Sequence, residues 1–188
     1  MCIRDREYIQ AYHACISFVD AQIKLIFDAL RESGHWDDTV VIFTSDHGYH
    51  LGEHYQWGKV TLFDIGTRVP FMVRVPGMTK PGTYSEAMVE LVDIFPTLVD
   101  LCGFEPPEDF QGMSLRPLLG HPDRLGKKKY AYTVVRRGQK LGYAIRSQRW
   151  RYSQWPQGEE LYTLTNDPEE QRNWAGKSHV EARLVEMR

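Results

Sequence analysis

The 188-residue sequence is poor in cysteine and has no long apolar run. Its three cysteines, Cys2, Cys15 and Cys102, are scattered, and none belongs to a CxxC pair. This spacing gives no zinc motif and no disulfide framework, so we expect the cysteines to be buried as small apolar residues. Because no run of eighteen apolar residues occurs, we also expect no membrane-spanning helix.

An excess of charge of one sign is absent as well. The 23 Lys and Arg against 25 Asp and Glu give a formal net charge of -2 at pH 7, which offers no case for a nucleic-acid partner. Apolar residues at 42% and charged residues at 26% are typical of globular proteins. The length suits one domain, or a domain with a small appendage.

The two ends of the sequence do not match its interior. Residues 1–6 lack the apolar segment of a signal peptide, fit poorly with the helical pattern that follows, and resemble translated sequencing-adapter sequence. The sequence also stops at Arg188, within the helical pattern of Val180 to Met187. We therefore expect residues 1–6 to be a non-native start and the sequence to be an internal fragment of a longer chain. The lack of a targeting signal in it then says nothing about where the full-length protein is located.

The first part of the sequence alternates helical and strand patterns. Apolar residues at steps of three and four predict an amphipathic helix that Gly34 ends: Tyr12, Ile16, Val19, Ile23, Ile26, Phe27 and Leu30. The continuous apolar run Thr39–Thr44 suits a strand buried on both faces, as in a parallel sheet, and Val69–Val75 predicts a second strand. This order predicts an α/β layered architecture over residues 7–120.

A short helix is predicted after the second strand. Asp93 is placed to cap it, Pro96 falls in its first turn, where a missing N–H costs little, and Gly103 closes it after Leu101.

The pattern changes after about residue 120. His121-Pro122 and the lysine run 127–129 indicate an exposed connection, and Asn166-Asp167-Pro168 is a turn signal. Short strand patterns lie between turns, at Tyr130–Val135, Leu141–Arg146, Arg149–Gln154 and Glu160–Leu164. We therefore predict a second unit over 121–188, a small antiparallel sheet with a closing helix.

The chemistry of the sequence is concentrated directly after the first predicted strand. Ligands gather at the carboxyl ends of strands in α/β sheets, and there Asp46 and His47 offer a hard oxygen and a neutral nitrogen to a metal ion. Gly48 lets the backbone turn away without crowding the ion. We expect Asp46 and His47 to face one shared cavity. The alternative is a solvated turn in which Asp46 caps the next segment.

The loop that follows, residues 49–59, is dense in aromatic and ionisable side chains, a composition favoured in binding and catalytic loops. Lys59 at its end is suited to supply a point charge to an anionic group. A solvated surface lysine is the alternative.

Several segments of this sequence resemble the sulfatase family. The stretch SDHGYHLGEHYQWGK, followed by FDIGTRVPFMVRVPG, resembles the second half of a sulfatase active site and is most similar to the iduronate-2-sulfatase-like branch. The segments VELVDIFPTLVDLCG, QGMSLRPLLG and ELYTLTNDPEEQRNW resemble later parts of the same family. Together these motifs touch most of the chain from Tyr12 to Trp174.

The resemblance implies roles for individual residues. Asp46 and His47 match two calcium ligands of the family, with magnesium as the less favoured ion. Lys59 matches the lysine that contacts the sulfate group and stabilises negative charge. Tyr49 and His50 fall on the substrate side of the site.

Neighbouring residues are expected to support the site rather than to contact substrate. Glu53 and His54 are expected to order the loop, and Trp57 to be a packed anchor rather than a sugar platform. Arg68 and Asp64 are expected to form a structural ion pair.

Parts of the family's active site have no counterpart in the sequence. The family uses a formylglycine nucleophile made from the Cys or Ser of a C/S-x-P-x-R motif, and no cysteine here stands in such a motif. The family's early aspartate pair is also missing, and so are a further lysine and a histidine, both upstream, that bind sulfate and protonate the leaving alcohol. Asp37 and Asp38 precede a strand and are assigned to a turn. The chain alone is therefore expected to be inactive.

The resemblance implies the C-terminal part of an α/β/α sandwich with a mainly parallel sheet, followed by the small antiparallel unit. The implied activity is that of a sulfuric ester hydrolase, with a sugar or glycosaminoglycan-type sulfate as substrate, in a periplasmic, secreted or lysosome-like location. Two alternatives stay open. One is a phosphodiesterase or phosphonate monoester hydrolase of the alkaline-phosphatase-like superfamily, and the other is a non-catalytic binding module.

Overall fold

The computed structural model describes residues 3–105 and 107–188. Its helices are α1 (Ile3–Glu32), α2 (Asp64–Thr67), α3 (Ile94–Leu101), α4 (Arg116–Gly120) and α5 (Glu181–Met187). Its strands are β1 (Val41–Thr44), β2 (His50–Leu51), β3 (Trp57–Gly58), β4 (Phe71–Arg74), β5 (Ala131–Arg137), β6 (Lys140–Arg146), β7 (Trp150–Trp155) and β8 (Gly158–Thr163). Single 3-10 turns lie at Glu53–Tyr55, Leu91–Asp93 and Ser178–Val180.

Helix α1 is longer than the predicted amphipathic segment and begins at Ile3. Residues 3–6 of the expected non-native start therefore lie in its first two turns, while Met1 and Cys2 lie outside the described residues. No residue of α1 is buried among the described parts of the chain. Of its apolar stripe, Ile16, Val19 and Ile26 are exposed, and the other members are half-buried.

Two helix ends confirm the glycine terminators predicted from the sequence. Gly34 has a φ of 79° and Gly103 a φ of 73°, both in the left-handed region that glycine adopts without a Cβ clash. The amide after each glycine donates back into the last turn of the helix. His35 N donates to Leu30 O at 3.2 Å, and Phe104 N donates to Val99 O at 3.0 Å.

The two apolar runs of the first part form strands that pair with each other. Strand β1 pairs with β4 in antiparallel register, with Val41 opposite Arg74 and Thr44 opposite Phe71. The α/β class is confirmed, but the mainly parallel sheet is corrected, since no parallel pair occurs among the described residues. The predicted burial on both faces is corrected as well, since Val41, Ile42 and Phe43 are half-buried and Thr44 is exposed. An apolar run does not show the direction of the neighbouring strand, and here the chain turns back over residues 45–70.

The carboxylate of Asp93 does not cap α3 as predicted. Helix α3 begins directly after it, yet the side chain accepts from Glu90 N at 2.9 Å and from Met113 N at 2.8 Å. It also pairs with Lys128 Nζ at 2.7 Å. Asp93 is fully buried, so its charge requires these three partners, and they tie α3 to the segment that leads into β5.

Strands β5 to β8 form an antiparallel sheet in chain order, and α5 packs on one face of it. This confirms the predicted small antiparallel sheet with a closing helix. The core of the contact consists of Tyr152, Leu161, Leu184 and Met187. Arg151 and Tyr162, paired across β7 and β8, lie on the opposite face and contact Phe63 of the first part.

The described cysteines are not buried. Cys15 on α1 and Cys102 after α3 are exposed, which corrects the expectation of small apolar core residues, and Cys2 lies outside the described residues. Within residues 3–105 and 107–188, no helix combines the length and apolarity needed to span a bilayer.

The α5 contact provides a stability test between neighbouring residues. Leu184 is 1% exposed and Val185 60% exposed, although both lie on α5. We expect Leu184→Ala to lower the free energy of unfolding by about 2–5 kcal/mol through a core cavity, and Val185→Ala to change it by about 0.5 kcal/mol or less. Urea unfolding of the two variants measures this, and equal losses would contradict the packing of α5.

Candidate functional site

Asp46 and His47 lie together just beyond the carboxyl end of β1. Oδ2 of Asp46 is 3.5 Å from Nε2 of His47. The Asp46 side chain is 81% exposed and that of His47 32% exposed. The pair therefore lies on an open surface and not in the shared cavity that we expected, although the two side chains do adjoin one another.

The hydrogen bond of the His47 ring decides which nitrogen keeps its lone pair. Nδ1 lies 2.8 Å from Gly48 O. A carbonyl only accepts, so Nδ1 carries a proton, and in the neutral ring Nε2 keeps the lone pair beside the Asp46 carboxylate. A backbone carbonyl on the far nitrogen is the usual arrangement of metal-binding histidines, because it fixes both tautomer and ring orientation.

Gly48 is required by a close approach of the backbone. Its nitrogen donates to Gly66 O at 3.0 Å, and a Cβ at residue 48 would overlap the carbonyl oxygen of Ile65. The glycine thus lets the loop of residues 48–66 close on itself. This replaces our sequence-based reason, which was space for an ion.

His50 lies inside this loop and is fully buried. Nδ1 donates to Glu53 O at 3.1 Å, so Nε2 accepts from the Thr61 hydroxyl at 2.7 Å. Burial lowers the pKa of His50 below its ordinary value of 6.5, which keeps the ring neutral. With both nitrogens engaged, His50 has no free polar atom for a substrate, so the structure does not favour the substrate-side prediction.

Glu53 and His54 contact the loop itself. Oε2 of Glu53 accepts from Leu51 N at 2.6 Å. The His54 ring stacks on Phe63, with centroids 3.7 Å apart and an interplanar angle of 7°. These contacts agree with the loop-ordering role that we expect of both residues.

Two aromatic residues of the loop pack against α1. Tyr49 stacks on Tyr12 with centroids 5.3 Å apart, and Trp57 lies 5.7 Å from Tyr8. Tyr49 is 40% exposed and Trp57 43% exposed, so each retains an open face while its contact fixes its place. The anchor role predicted for Trp57 agrees with its contact to α1.

Lys59 is exposed and makes no hydrogen bond or ion pair with the part of the chain that the structure describes. The next residue, Val60, has a φ of 72°, which is strained for a β-branched side chain. Arg137 holds this backbone, because Nε donates to Val60 O at 2.7 Å and Nη2 to Gln56 Oε1 at 2.7 Å. Strained backbone tends to cluster at functional sites.

The residues present fit a metal ion only in part. Among residues 3–105 and 107–188, no group of three or more His, Cys, Asp or Glu side chains is close enough to hold one. Oδ2 of Asp46 and Nε2 of His47 lie 3.5 Å apart, so both could be ligands of one ion. The pair thus matches a portion of a coordination shell.

The expected ion pair of Asp64 has a second and closer partner. Arg68 lies 4.0 Å from the Asp64 carboxylate and is mostly exposed, whereas Arg146 Nε donates to the carboxylate at 2.6 Å. Arg146 is 82 residues away along the chain, so no spacing pattern pointed to it.

Sequence reasoning also missed a buried ion pair. Arg151 and Glu170 are 1% and 2% exposed, and Nε of Arg151 donates to Glu170 Oε1. Glu170 Oε2 accepts from Asp64 N at 2.7 Å, at the start of α2. The Arg151 guanidinium lies over the rings of Phe63 and Tyr162, at 5.1 and 4.9 Å. Burial of an arginine and a glutamate has no signal in composition or periodicity.

In a comparison with known protein families, residues 2–104 match the family described as Sulfatase. A sulfatase of Formosa agariphila is 35% identical over 182 residues, covering 94% of this chain and 35% of that protein. Iduronate 2-sulfatase of Mus musculus is 37% identical over 126 residues, covering 54% of this chain and 23% of that protein. The chain thus spans about a third or less of the length of these relatives.

Solved structures resemble the chain over nearly its whole length. A protein in complex with its substrate, D-glucosamine-2-N,6-O-disulfate, superposes with a TM-score of 0.93 at 30% identity, covering 97% of this chain and 39% of that one. The phosphonate monoester hydrolase of Agrobacterium radiobacter gives a TM-score of 0.82 at 32% identity, covering 91% of this chain and 38% of that one.

The lowered pKa of His50 predicts a pH dependence of stability. A histidine whose pKa is depressed in the folded state contributes stability that is present above pH 6.5 and lost as the pH falls toward the folded-state pKa. His50→Gln should therefore lose less unfolding free energy than the unsubstituted chain between pH 7.5 and 5.

The control is His13→Gln, since His13 is exposed on α1. It should keep the full pH dependence in urea unfolding. Identical slopes for the His50→Gln variant and the unsubstituted chain would contradict the neutral, buried state of His50.

Proposed function

The chain belongs to the sulfatase family, and we propose that it carries part of the active site of a sulfuric ester hydrolase that acts on sulfated sugars. Family membership rests on the match over residues 2–104 of 188. A sugar substrate is supported by the glucosamine disulfate bound to a structural relative. The observation that carries the proposal is the position of His47, whose Nδ1 is bonded to Gly48 O and whose Nε2 lies 3.5 Å from the Asp46 carboxylate.

Asp46 and His47 would hold a calcium ion as two members of its shell. Calcium is favoured over magnesium by the resemblance to the family, since an aspartate oxygen could serve either ion. When bound, the cation would neutralise negative charge on the sulfuryl oxygens.

Lys59 would contact the sulfate group as a second source of positive charge. Its ammonium is exposed and unpaired within the described residues, and its backbone is held through Val60 by Arg137. A compact ammonium beside developing negative charge stabilises the transition state more than the ground state. Tyr49, whose ring has an open face beside the same loop, would lie on the substrate side.

The nucleophile would come from residues outside this sequence. The family's formylglycine requires a C/S-x-P-x-R motif, and the 188 residues contain none. Relatives about three times as long as this chain have room for it.

A second candidate function is phosphonate monoester hydrolysis. It is favoured by the TM-score of 0.82 to an enzyme with that activity. Steady-state kinetics of the full-length protein on a sulfated glucosamine and on a phosphonate monoester tests both. We expect the higher kcat/KM on the sulfate ester. A preference for the phosphonate would favour the second function, and no hydrolysis of either would favour a binding module.

The chain by itself should be inactive and should bind calcium weakly. Calcium takes six to eight ligands, mostly oxygens, whereas the described residues bring together no group of three or more His, Cys, Asp or Glu side chains. We expect no sulfate release from an aryl sulfate and a calcium affinity weaker than micromolar by calorimetry. Sulfate release, or micromolar binding, would show that the chain holds a more complete site than we propose.

Lys59→Ala in the full-length enzyme should lower turnover far more than stability. Loss of one contact to developing charge lowers kcat by about 10²–10³, whereas an exposed substitution changes unfolding by about 0.5 kcal/mol or less. Lys59→Arg should restore little activity, because a planar guanidinium differs in shape and reach.

Melting curves and steady-state kinetics check this, with Lys80→Ala as the matched exposed control. Near-normal turnover of Lys59→Ala would remove Lys59 from the site.

A further inference from the structure

A continuous line of hydrogen bonds joins the antiparallel sheet to His47. The buried carboxylate of Glu170 accepts from Asp64 N at 2.7 Å. Asp64 opens the four-residue helix α2, in which Gly66 O accepts from Gly48 N at 3.0 Å. Gly48 O in turn accepts from His47 Nδ1 at 2.8 Å.

We propose that Glu170 is a positioning residue, which fixes α2 and thereby holds His47 with its proton on Nδ1 and its Nε2 lone pair toward Asp46. The proposal rests on the proposed function, in which Nε2 of His47 is a metal ligand. Glu170 itself contacts neither His47 nor Asp46 and acts through α2 and Gly48.

The first amide of α2 is the point at which an outside acceptor has most effect. The first amides of a helix have no partner within it, and a helix of four residues has too few internal bonds to hold its own orientation. No side chain within α2 caps it, so Glu170 supplies the acceptor for Asp64 N. Arg146 adds a bond to the Asp64 carboxylate, also from the sheet side.

Glu170 is itself rigidly held. Its φ of 56° lies in the left-handed region. The backbone N–H of Glu170 donates to Asp167 O at 3.0 Å and closes the turn in which the residue lies. Arg151 pairs with its other carboxylate oxygen inside the protein. Burial raises the pKa of Glu170 and Arg151 opposes that rise, so the buried carboxylate depends on its arginine partner.

The experiment compares two double variants of the 188-residue chain that differ only in the acceptor for Asp64 N. Arg151→Met with Glu170→Gln removes both charges but retains a side-chain oxygen. Arg151→Met with Glu170→Leu removes both charges and the oxygen. Neither leaves a lone buried charge, so both should fold. The readouts are the ring ¹⁵N shifts of His47, assigned with His47→Gln, and hydrogen exchange of the Gly48 amide.

We expect the Gln variant to keep His47 protonated on Nδ1. In the Leu variant the ring ¹⁵N shifts of His47 should be averaged. The Gly48 amide should exchange its hydrogen about tenfold faster, which is the change expected for the loss of one hydrogen bond. Leu184→Ala, which weakens the other face of the sheet, should leave the His47 shifts unchanged.

Unchanged His47 shifts in the Leu variant would overturn the positioning role while leaving the proposed function intact. Altered shifts in Leu184→Ala would also overturn it, since general loss of stability would then account for the effect. A proton on Nε2 in the unsubstituted chain would instead overturn both this proposal and the metal-ligand role of His47.

Discussion

The buried carboxylate of Glu170 bonds at the same time to the antiparallel sheet, through Arg151, and to the first part of the chain, through Asp64 N. Removing one partner of such a pair costs about 3–5 kcal/mol, because a charge is left buried without compensation. The terminal nitrogens of Arg151 have no hydrogen-bond partner in the described residues. They lie instead over the faces of Phe63 and Tyr162, where cation–π attraction replaces part of the lost hydration.

This junction holds the loop that carries the candidate site. The loop is closed at its base by the bond between Gly48 and Gly66 and is filled by the neutral His50. His47, directly before this loop, and Lys59, within it, therefore lie on one supported segment. Support of this kind keeps site residues in place before a ligand arrives, which is how binding and catalytic geometry is preorganised.

Local patterns in the sequence predicted local features well. The glycine terminators, the four-stranded sheet and the adjacency of Asp46 and His47 all follow from residues within a few positions of one another. Strand direction could not be predicted, since an apolar run such as that of β1 does not show which way its neighbouring strand runs. The partners of Asp93 and Glu170 could not be predicted either, because a buried carboxylate takes its donors from wherever the fold brings them. For Glu170 one of those donors lies 106 residues away.

The central claim is that Asp46 and His47 bind one cation together. It is tested most directly by titrating the chain with calcium while following the side-chain carboxyl ¹³C shift of Asp46 and the Nε2 ¹⁵N shift of His47. The account predicts that both signals move with the same dissociation constant and that Asp46→Asn abolishes the change at His47. It would be contradicted if calcium left both signals in place, or if His47 responded equally well without the Asp46 carboxylate.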